Sequence, residues 1–236
     1  MYQKHTLTAI VPCFNEVSRI SRILTPLAAS RFVDEIIVVD DGSTDRTPEF
    51  VRRSYPRVHL IRNSRNRGKS AAIFKGVSAS RSEAVFFIDA DLIGLTASHI
   101  DTAVAVFFKN RLDMLLLPVR SEHFNVYYQA VGWNIMATGE RIVKKSLLIP
   151  HLHAPLTGYA LEMFLNHLAV IHNWKTDIIF WKPGQPAPVS PSKSKKIGLL
   201  QGVWGDIKML NEVFHQANVL EYLKDLNFLV IRNSHH

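Results

Sequence analysis

Short apolar runs alternate with helical periodicities through the first half of the chain. Leu7–Val11 reads as a short apolar strand, and Glu16–Ala29 places Val17, Ile20, Ile23, Leu24 and Leu27 at helical spacing. Glu35–Val39 is a continuous apolar run with β-branched residues, the mark of a parallel strand buried on both faces. Ser43-Thr44-Asp45 opens a second helix that runs to Ser54. Val58–Ile61 predicts a third strand, Gly68–Ala79 a third helix and Ala84–Ile88 a fourth strand. Thr96–Lys109 follows as a helix capped at Leu95 or Thr96, and Met114–Leu117 as a further strand. Such alternation predicts an α/β fold, a mostly parallel sheet with helices on both faces. In these sheets ligands bind beyond the carboxyl ends of the strands. That rule directs attention to Pro12–Glu16, Asp40–Ser43, Asn63–Lys69 and Asp89–Asp91, each directly after a predicted strand.

The second half is less regular. Phe124–Lys145 reads as mostly helical, Gly158–Ile171 as an amphipathic helix and Asp177–Trp181 as a strand. Lys182–Ser194 is rich in Pro, Ser and Lys and reads as a loop; Leu199–Leu226 reads as one or two helices. There is no internal repeat and no domain boundary. The 236 residues are therefore read as a single domain, with residues 1–120 and 121–236 as its two halves.

Composition narrows the function. The chain carries 28 Lys and Arg against 20 Asp and Glu, a formal charge of +8, with basic clusters at Arg62–Lys69 and Lys193–Lys196. Nucleic acid, anionic lipid and phosphorylated small molecules all fit such a surface. No nucleic-acid-binding motif is visible, so nucleic acid is excluded as a partner. With 47% of its residues apolar, the chain has material for a substantial core. Its one cysteine, Cys13, excludes an internal disulfide framework and disfavours a cysteine-rich zinc site. The start, Met1–His5, lacks an apolar leader, and no stretch approaches the roughly 18–20 apolar residues needed to span a bilayer. The expectation is a cytoplasmic protein, peripheral at the inner face of a membrane at most.

Asp89-Ala90-Asp91 is the most informative tripeptide. It follows the apolar run Val85–Ile88, so two carboxylates stand where a buried strand leaves the core. Paired acidic oxygens there suit a hard divalent cation, Mg²⁺ or Mn²⁺, which can bridge diphosphate oxygens. Asp40-Asp41-Gly42-Ser43 ends the second strand. An aspartate there can accept from a base N–H or a ribose hydroxyl, while Gly42 permits a tight turn and Ser43 or Thr44 caps the next helix. Arg62, Arg65, Arg67 and Lys69 surround Gly68 at a predicted helix start, a setting that suits a phosphate. Gly68-Lys69-Ser70 is not a P-loop, because the glycine five residues earlier is absent.

These segments, in order, resemble a known family. Ile10-Val11-Pro12-Cys13-Phe14-Asn15-Glu16, Ile36–Asp45 with Asp40-Asp41-Gly42-Ser43 at its centre, Asn66-Arg67-Gly68-Lys69 and Phe87-Ile88-Asp89-Ala90-Asp91-Leu92 are similar to the motifs of the family 2 glycosyltransferases of the GT-A fold. The resemblance covers about residues 6–120. Thr138-Gly139-Glu140-Arg141 and Gly158–Glu162 resemble its acceptor-side elements. It implies a Rossmann-like sheet with a carboxyl-terminal helical acceptor subregion. It also implies that a nucleotide-diphosphate sugar is held by Pro12, Asn15, Glu16, Asp40, Asp41, Ser43, Gly68, Lys69, Asp89 and Ala90. Asp89 and Asp91 would hold the metal, with Asp91 the main ligand. The expected reaction is transfer of a hexosyl unit from a UDP- or GDP-sugar, with inversion. The chain departs from many relatives in lacking an evident third metal ligand: Ile93 follows Leu92, and Trp181-Lys182 stands where a late histidine is expected.

Acceptors of two kinds fit. A polyprenyl phosphate brings its own anionic oxygen and calls for nearby cations, for which Arg120, Arg141, Lys144 and Lys145 are candidates. A small hydroxyl compound, phosphorylated or carboxylated, needs a base within reach. Glu162 is the candidate by resemblance and Glu140 the second, ahead of His151, His153, His167 and His172. The polyprenyl phosphate is the preferred reading, with Asp91, Glu162 and Arg141 as the residues expected to carry catalysis. Lys182–Lys196 is expected to close over bound donor. A nucleotide-sugar-binding protein without catalysis is the third alternative.

Overall fold

The computed structural model describes residues 2–118, 120–121, 138–152, 156, 160–179 and 188–190. The chain forms β1 (Leu7–Cys13), α1 (Ser21–Ala29), β2 (Glu35–Asp40), α2 (Thr47–Ser54), β3 (His59–Arg62), α3 (Lys69–Ala79), β4 (Ala84–Phe87) and α4 (Ala97–Lys109). It continues through β5 (Met114–Leu116), β6 (Arg120–Ser121), β7 (Arg141–Lys144), α5 (Lys145–Leu148), a 3₁₀ turn (Ile149–His151), α6 (Ala160–Ile171), β8 (Thr176–Ile178) and β9 (Val189–Ser190). Seven strands make one sheet in the order β3-β2-β1-β4-β7-β5-β8, and β6 pairs with β9 separately. Within the large sheet β7 runs antiparallel to both neighbours, and the other pairs are parallel.

Strand alternation divides the core into two layers. Ala9, Val11, Val38, Phe86, Leu115 and Ile142 face α1 and α4, packing on Ile23, Leu24, Leu27, Ile100, Val104 and Phe107. Ile10, Ile37, Val39, Val85, Phe87, Met114 and Val143 face the other way, onto Ile73 and Val77 of α3 and Leu161, Leu165 and Leu168 of α6. Because both faces are covered, these strands read as unbroken apolar runs. The approach of α3 to the sheet is close: a Cβ at Gly76 would lie 2.5 Å from Cγ2 of Ile10.

Helix starts follow local chemistry. Thr96 caps α4 by accepting from the amide of His99, whose ring accepts from the Thr96 amide in return. The second helix opens at Thr47 rather than at Ser43. Ser43, Thr44 and Asp45 are tied to Asn15 instead, and Asp45 Oδ1 takes the Thr47 amide ahead of Pro48.

One expectation is corrected. Phe124–Lys145 reads as mostly helical, yet Arg141–Lys144 forms β7 between β4 and β5. Ile142 and Val143 are β-branched and completely buried on opposite faces, which suits a central strand. Residues 122–137, the expected lid at Lys182–Lys196, apart from residues 188–190, and the helices expected within Leu199–Leu226 lie outside the described residues. Among the described residues, no helix is long and apolar enough to cross a membrane.

The topology fixes where a ligand belongs. From β1 the chain winds outward through β2 and β3, then returns to β4 on the other side of β1. The reversal leaves a crevice between the carboxyl ends of β1 and β4. The antiparallel β7 brings its first residues to this same edge: Arg141 lies in register with Phe87 of β4 and Leu116 of β5.

Candidate active site

Four strand exits form the donor-side wall. After β1, Asn15 adopts a left-handed backbone, φ +57°, which asparagine tolerates better than most residues. Its amide donates to Ser43 Oγ at 2.9 Å, and its Oδ1 accepts from the amides of Thr44 and Asp45 at 2.8 and 3.2 Å. This ties the first loop to the second. Pro12 is half-buried; Glu16 is buried and pairs with Arg19 at 2.7 Å.

Asp40 and Asp41 are both buried. Asp40 Oδ1 accepts from the Ser43 amide, and Oδ2 pairs with Arg62 Nε at 3.1 Å. Asp41 accepts from Asn63 Nδ2 at 2.8 Å and from the amides of Arg67 and Gly68 at 3.0 and 2.7 Å. The amides just ahead of α3, where the sequence places a phosphate, are thus engaged by Asp41. Gly42 has no alternative here: its φ is +80°, and a Cβ would stand 2.6 Å from the carbonyl carbon of Arg65. An open depression lined by Gly42, Ser43, Thr44, Arg62, Asn63 and Ser64 lies on this side.

The centre of the site is Lys69, the first residue of α3. Its ammonium lies 2.8 Å from Asp89 Oδ1, just past β4, and 3.0 Å from Glu162 Oε1, in the first turn of α6. One cation therefore joins the donor half to the acceptor half. Gly139, on the loop before β7, leans on the same pair: a Cβ there would stand 2.6 Å from Lys69 Nζ and 3.2 Å from Asp89 Oδ2. Burial works to lower the Lys69 pKa, but the charges of Asp89, Glu162 and Glu140 outweigh it and raise the pKa above its ordinary value. Lys69 is an ammonium at any physiological pH.

Glu140 behaves differently. Burial first, then the charge of Asp89, push its pKa up to about 7, with Lys69 and the Thr138 hydroxyl, 2.9 Å away, pulling in the other direction. The folded protein thus holds a proton on Glu140 that the unfolded chain loses near pH 4.5. The stabilisation is complete below that pH and is lost as pH rises to about 7. Glu140→Gln lacks this dependence. Urea unfolding at pH 5 and pH 8 should show the variant gaining on the wild type by up to about 3 kcal/mol at the higher pH. A constant difference across that range would contradict the assignment.

Asp91 is 7% exposed, while the side chain of Asp89 is 32% exposed. Their hard carboxylate oxygens fit a Mg²⁺ or Mn²⁺ held by a pair of acidic side chains together with phosphate oxygens and water. Among the described residues no group of three or more His, Cys, Asp or Glu converges on a metal position. Ala90 is buried between the two aspartates. Cys13 is no nucleophile: burial first, then Asp40, Glu16, Asp45 and Asp41, push its thiol far above the ordinary range.

Several expected cations are elsewhere. Arg141 does not face the crevice; its guanidinium is buried, 1% exposed, and donates to the carbonyl oxygens of Thr138 and Glu162. Lys144 is the last residue of β7 and Lys145 follows it, so both lie at the end of the strand away from the crevice, because that strand runs antiparallel; Lys144 pairs with Asp113 at 2.6 Å, and Lys145 donates to Ser80 O. Of Arg120 the backbone alone is described, in β6. Among the histidines, His151 packs edge-on against Phe164 and His172 follows α6 at its far end, while His153 lies outside the described residues. Sequence reasoning placed Gly139 in an acceptor-side motif but missed its close approach to Lys69 and Asp89, and it missed Asn166, whose Oδ1 accepts from Arg141 Nη1 at 3.2 Å. The glycine three residues ahead of the β-branched pair Ile142-Val143 was the available signal for a close backbone approach.

The chain has clear relatives. The sequence profile of the family described as Glycosyl transferase family 2 matches residues 8–167. A dolichyl-phosphate beta-glucosyltransferase of Trichomonas vaginalis is 38% identical over 96 residues, 36% of this chain and 28% of that protein. The chain matches between 28% and 40% of the length of such curated relatives. Among solved structures, Staphylococcus aureus TarS (residues 1–349) superimposes with a TM-score of 0.64 at 19% identity, over 79% of this chain and 60% of that one. Glucosyl-3-phosphoglycerate synthase of Mycobacterium tuberculosis, solved with Mn²⁺, UDP and phosphoglyceric acid, gives 0.63 at 18% identity, over 85% and 74%. These likenesses bear out the mostly parallel, helix-flanked sheet.

Proposed function

Since this chain belongs to glycosyl transferase family 2 and carries its GT-A fold, we propose that it moves a hexosyl unit from a UDP- or GDP-sugar to a polyprenyl phosphate, with inversion. The observation that carries this reading is the meeting of Asp89, Lys69 and Glu162 at the crevice between β1 and β4. It joins the expected donor wall to the expected acceptor side through a single cation. The dolichyl-phosphate relative supports the acceptor class, and the mycobacterial neighbour with Mn²⁺ and UDP supports the donor class.

In this reading Pro12, Asn15, Glu16, Asp40, Asp41 and Ser43 shape the wall against which the nucleoside lies. Gly68, Lys69 and Ala90 flank the diphosphate. Asp89 and Asp91 would hold Mg²⁺ or Mn²⁺, which would supply positive charge to offset that of the departing nucleoside diphosphate. Lys69 adds a fixed positive charge on the same side, and preorganised charge of this kind is effective because it needs no reorganisation during the reaction. A phosphate oxygen of the acceptor attacks the anomeric carbon opposite the diphosphate; the new C–O bond forms as the old one breaks, so the configuration inverts. The acceptor oxygen is already anionic and needs no base. Glu162 then serves to hold Lys69. The protein would work in the cytoplasm, at the inner face of a membrane where a polyprenyl phosphate presents its head group.

A second acceptor class is favoured by one observation. Glu140, with its pKa pushed up to about 7, has the proton affinity of a base able to take a proton from a small hydroxyl acceptor. One assay separates the readings: the chain is incubated with radiolabelled UDP-glucose or GDP-mannose, Mn²⁺ or a chelator, and either polyprenyl phosphate in detergent or 3-phosphoglycerate. The expected product is a sugar-linked lipid that forms with Mn²⁺ and not with chelator. Transfer to 3-phosphoglycerate alone would favour the second reading. Donor left intact in every tube would sink both and leave a nucleotide-sugar-binding protein.

A further inference from the structure

A guanidinium lies beneath the site. Arg141 is in register with Phe87 on one side and Leu116 on the other, and it is among the largest fully buried side chains of the described residues. Burying a charge costs several kcal/mol of lost hydration unless acceptors surround it. Here Nη2 donates to Thr138 O at 2.5 Å, and Nη1 donates to Glu162 O at 3.3 Å and to Asn166 Oδ1 at 3.2 Å. The acceptors belong to two segments that are distant in sequence: the loop ahead of β7, and α6.

Each of these segments also carries a group that meets Lys69. On the loop it is the backbone of Gly139, packed against Lys69 Nζ and Asp89. On α6 it is the carboxylate of Glu162. Glu162 is therefore held at both ends, its carbonyl oxygen by Arg141 from inside and its carboxylate by Lys69 from the crevice. Asn166, one helical turn further on and 1% exposed, gives the guanidinium a second anchor on α6. The planar fork of arginine can bind two diverging segments at once, which the point charge of lysine cannot do in the same way.

We infer that Arg141, with Asn166, is a positioning residue that keeps the 138–140 loop and α6 in fixed register with Lys69 and Asp89. Its effect on turnover rests on the transfer reaction proposed above; its effect on the two segments does not. It touches neither substrate, and acts through Glu162 and Gly139. Loss of the fork should loosen the acceptor side while the part of the donor wall built from the exits of β1 to β3 stays as it is.

Hydrogen exchange and kinetics on the full chain test this together, with Arg141→Lys and the milder Asn166→Ala. In Arg141→Lys, peptides covering residues 138–141 and 160–166 should exchange at least about tenfold faster, while those covering 7–13 and 35–40 keep their protection. Turnover should fall about thirtyfold with donor KM within about twofold of wild type, since a misplaced acceptor side affects the reacting geometry more than donor binding. Asn166→Ala should show the same pattern with smaller size. Unchanged exchange in both segments overturns the inference. So does a uniform rise across all strands in both variants, or a donor KM that rises in step with the loss of turnover. Selective loosening in a protein whose wild type transfers no sugar supports the positioning role and sinks the proposed function instead.

Discussion

Lys69→Met should lower sugar transfer several hundredfold and leave the sheet folded. Two effects add. The first is electrostatic and falls on the reaction: a fixed ammonium beside the departing diphosphate is lost, and removal of one preorganised charge-stabilising group of this kind costs about 10²–10³ in rate. The second falls on the resting protein. The Glu162 side chain is 3% exposed, and its Oε2 has no hydrogen-bond partner among the described residues, so Oε1 depends on Lys69. Breaking a buried pair from one side costs about 3–5 kcal/mol. Because Lys69 and Asp89 are each about one-third exposed, water screens part of that loss, and about 2 kcal/mol is the expected fall in unfolding free energy. Urea denaturation gives that figure and radiolabelled transfer gives the rate. Lys69→Arg should not restore activity, because a longer, planar head must enter the space that Gly139 leaves for a single ammonium. Wild-type rates in Lys69→Met would remove Lys69 from the chemistry altogether.

The parts of this arrangement that were legible in the sequence are those whose signal is local. The runs at Leu7–Val11, Glu35–Val39 and Ala84–Ile88 announce buried parallel strands because each is apolar on both faces, and the carboxylates that follow them mark the strand exits. The cap of α4 was legible to within one residue, Leu95 or Thr96, for the same reason: the partner of Thr96, His99, is three residues away. What was not legible depends on pairing across long distances. Arg141-Ile142-Val143-Lys144 is too short for its period to separate strand from helix, and nothing within it states that it runs against β4 and β5. That direction decides everything about its charges. It brings Thr138–Arg141 to the crevice edge and sends Lys144 and Lys145 to the opposite one. Arg141 looked like a cation for a phosphate because arginines are usually near water. Its burial follows from a central strand position that only the sheet order reveals. Asp41 is a similar case: the sequence shows a carboxylate at a strand end, but the amides of Arg67 and Gly68 that use it come from a loop more than twenty residues away.

Gly139→Ala should separate folding from catalysis more cleanly than any charge change. The added methyl would stand 2.6 Å from Lys69 Nζ, and 3.2 and 3.4 Å from the oxygens of Asp89. The first of these separations is too short for any real contact, so something must move. Backbone strain is not at issue, because Gly139 is not among the glycines with positive φ. The cheapest movement is that of the Lys69 head, the far end of a flexible side chain that is 31% exposed and can swing toward water. Stability should therefore change little, with the thermal midpoint within about 3 °C of wild type. The ammonium, however, can no longer sit between Asp89 and Glu162. A displacement of about 1 Å at a reacting centre costs roughly a hundredfold, and that is the expected loss of transfer at saturating donor. Gly139→Val should lose more activity, since a branched Cβ leaves Lys69 fewer ways round it. If Gly139→Ala instead unfolds the chain, the 138–140 loop is too rigid for the lysine to yield. If it transfers sugar at the wild-type rate, the close meeting of Gly139, Lys69 and Asp89 has no part in catalysis, and the cation that joins the two halves is a structural bond only.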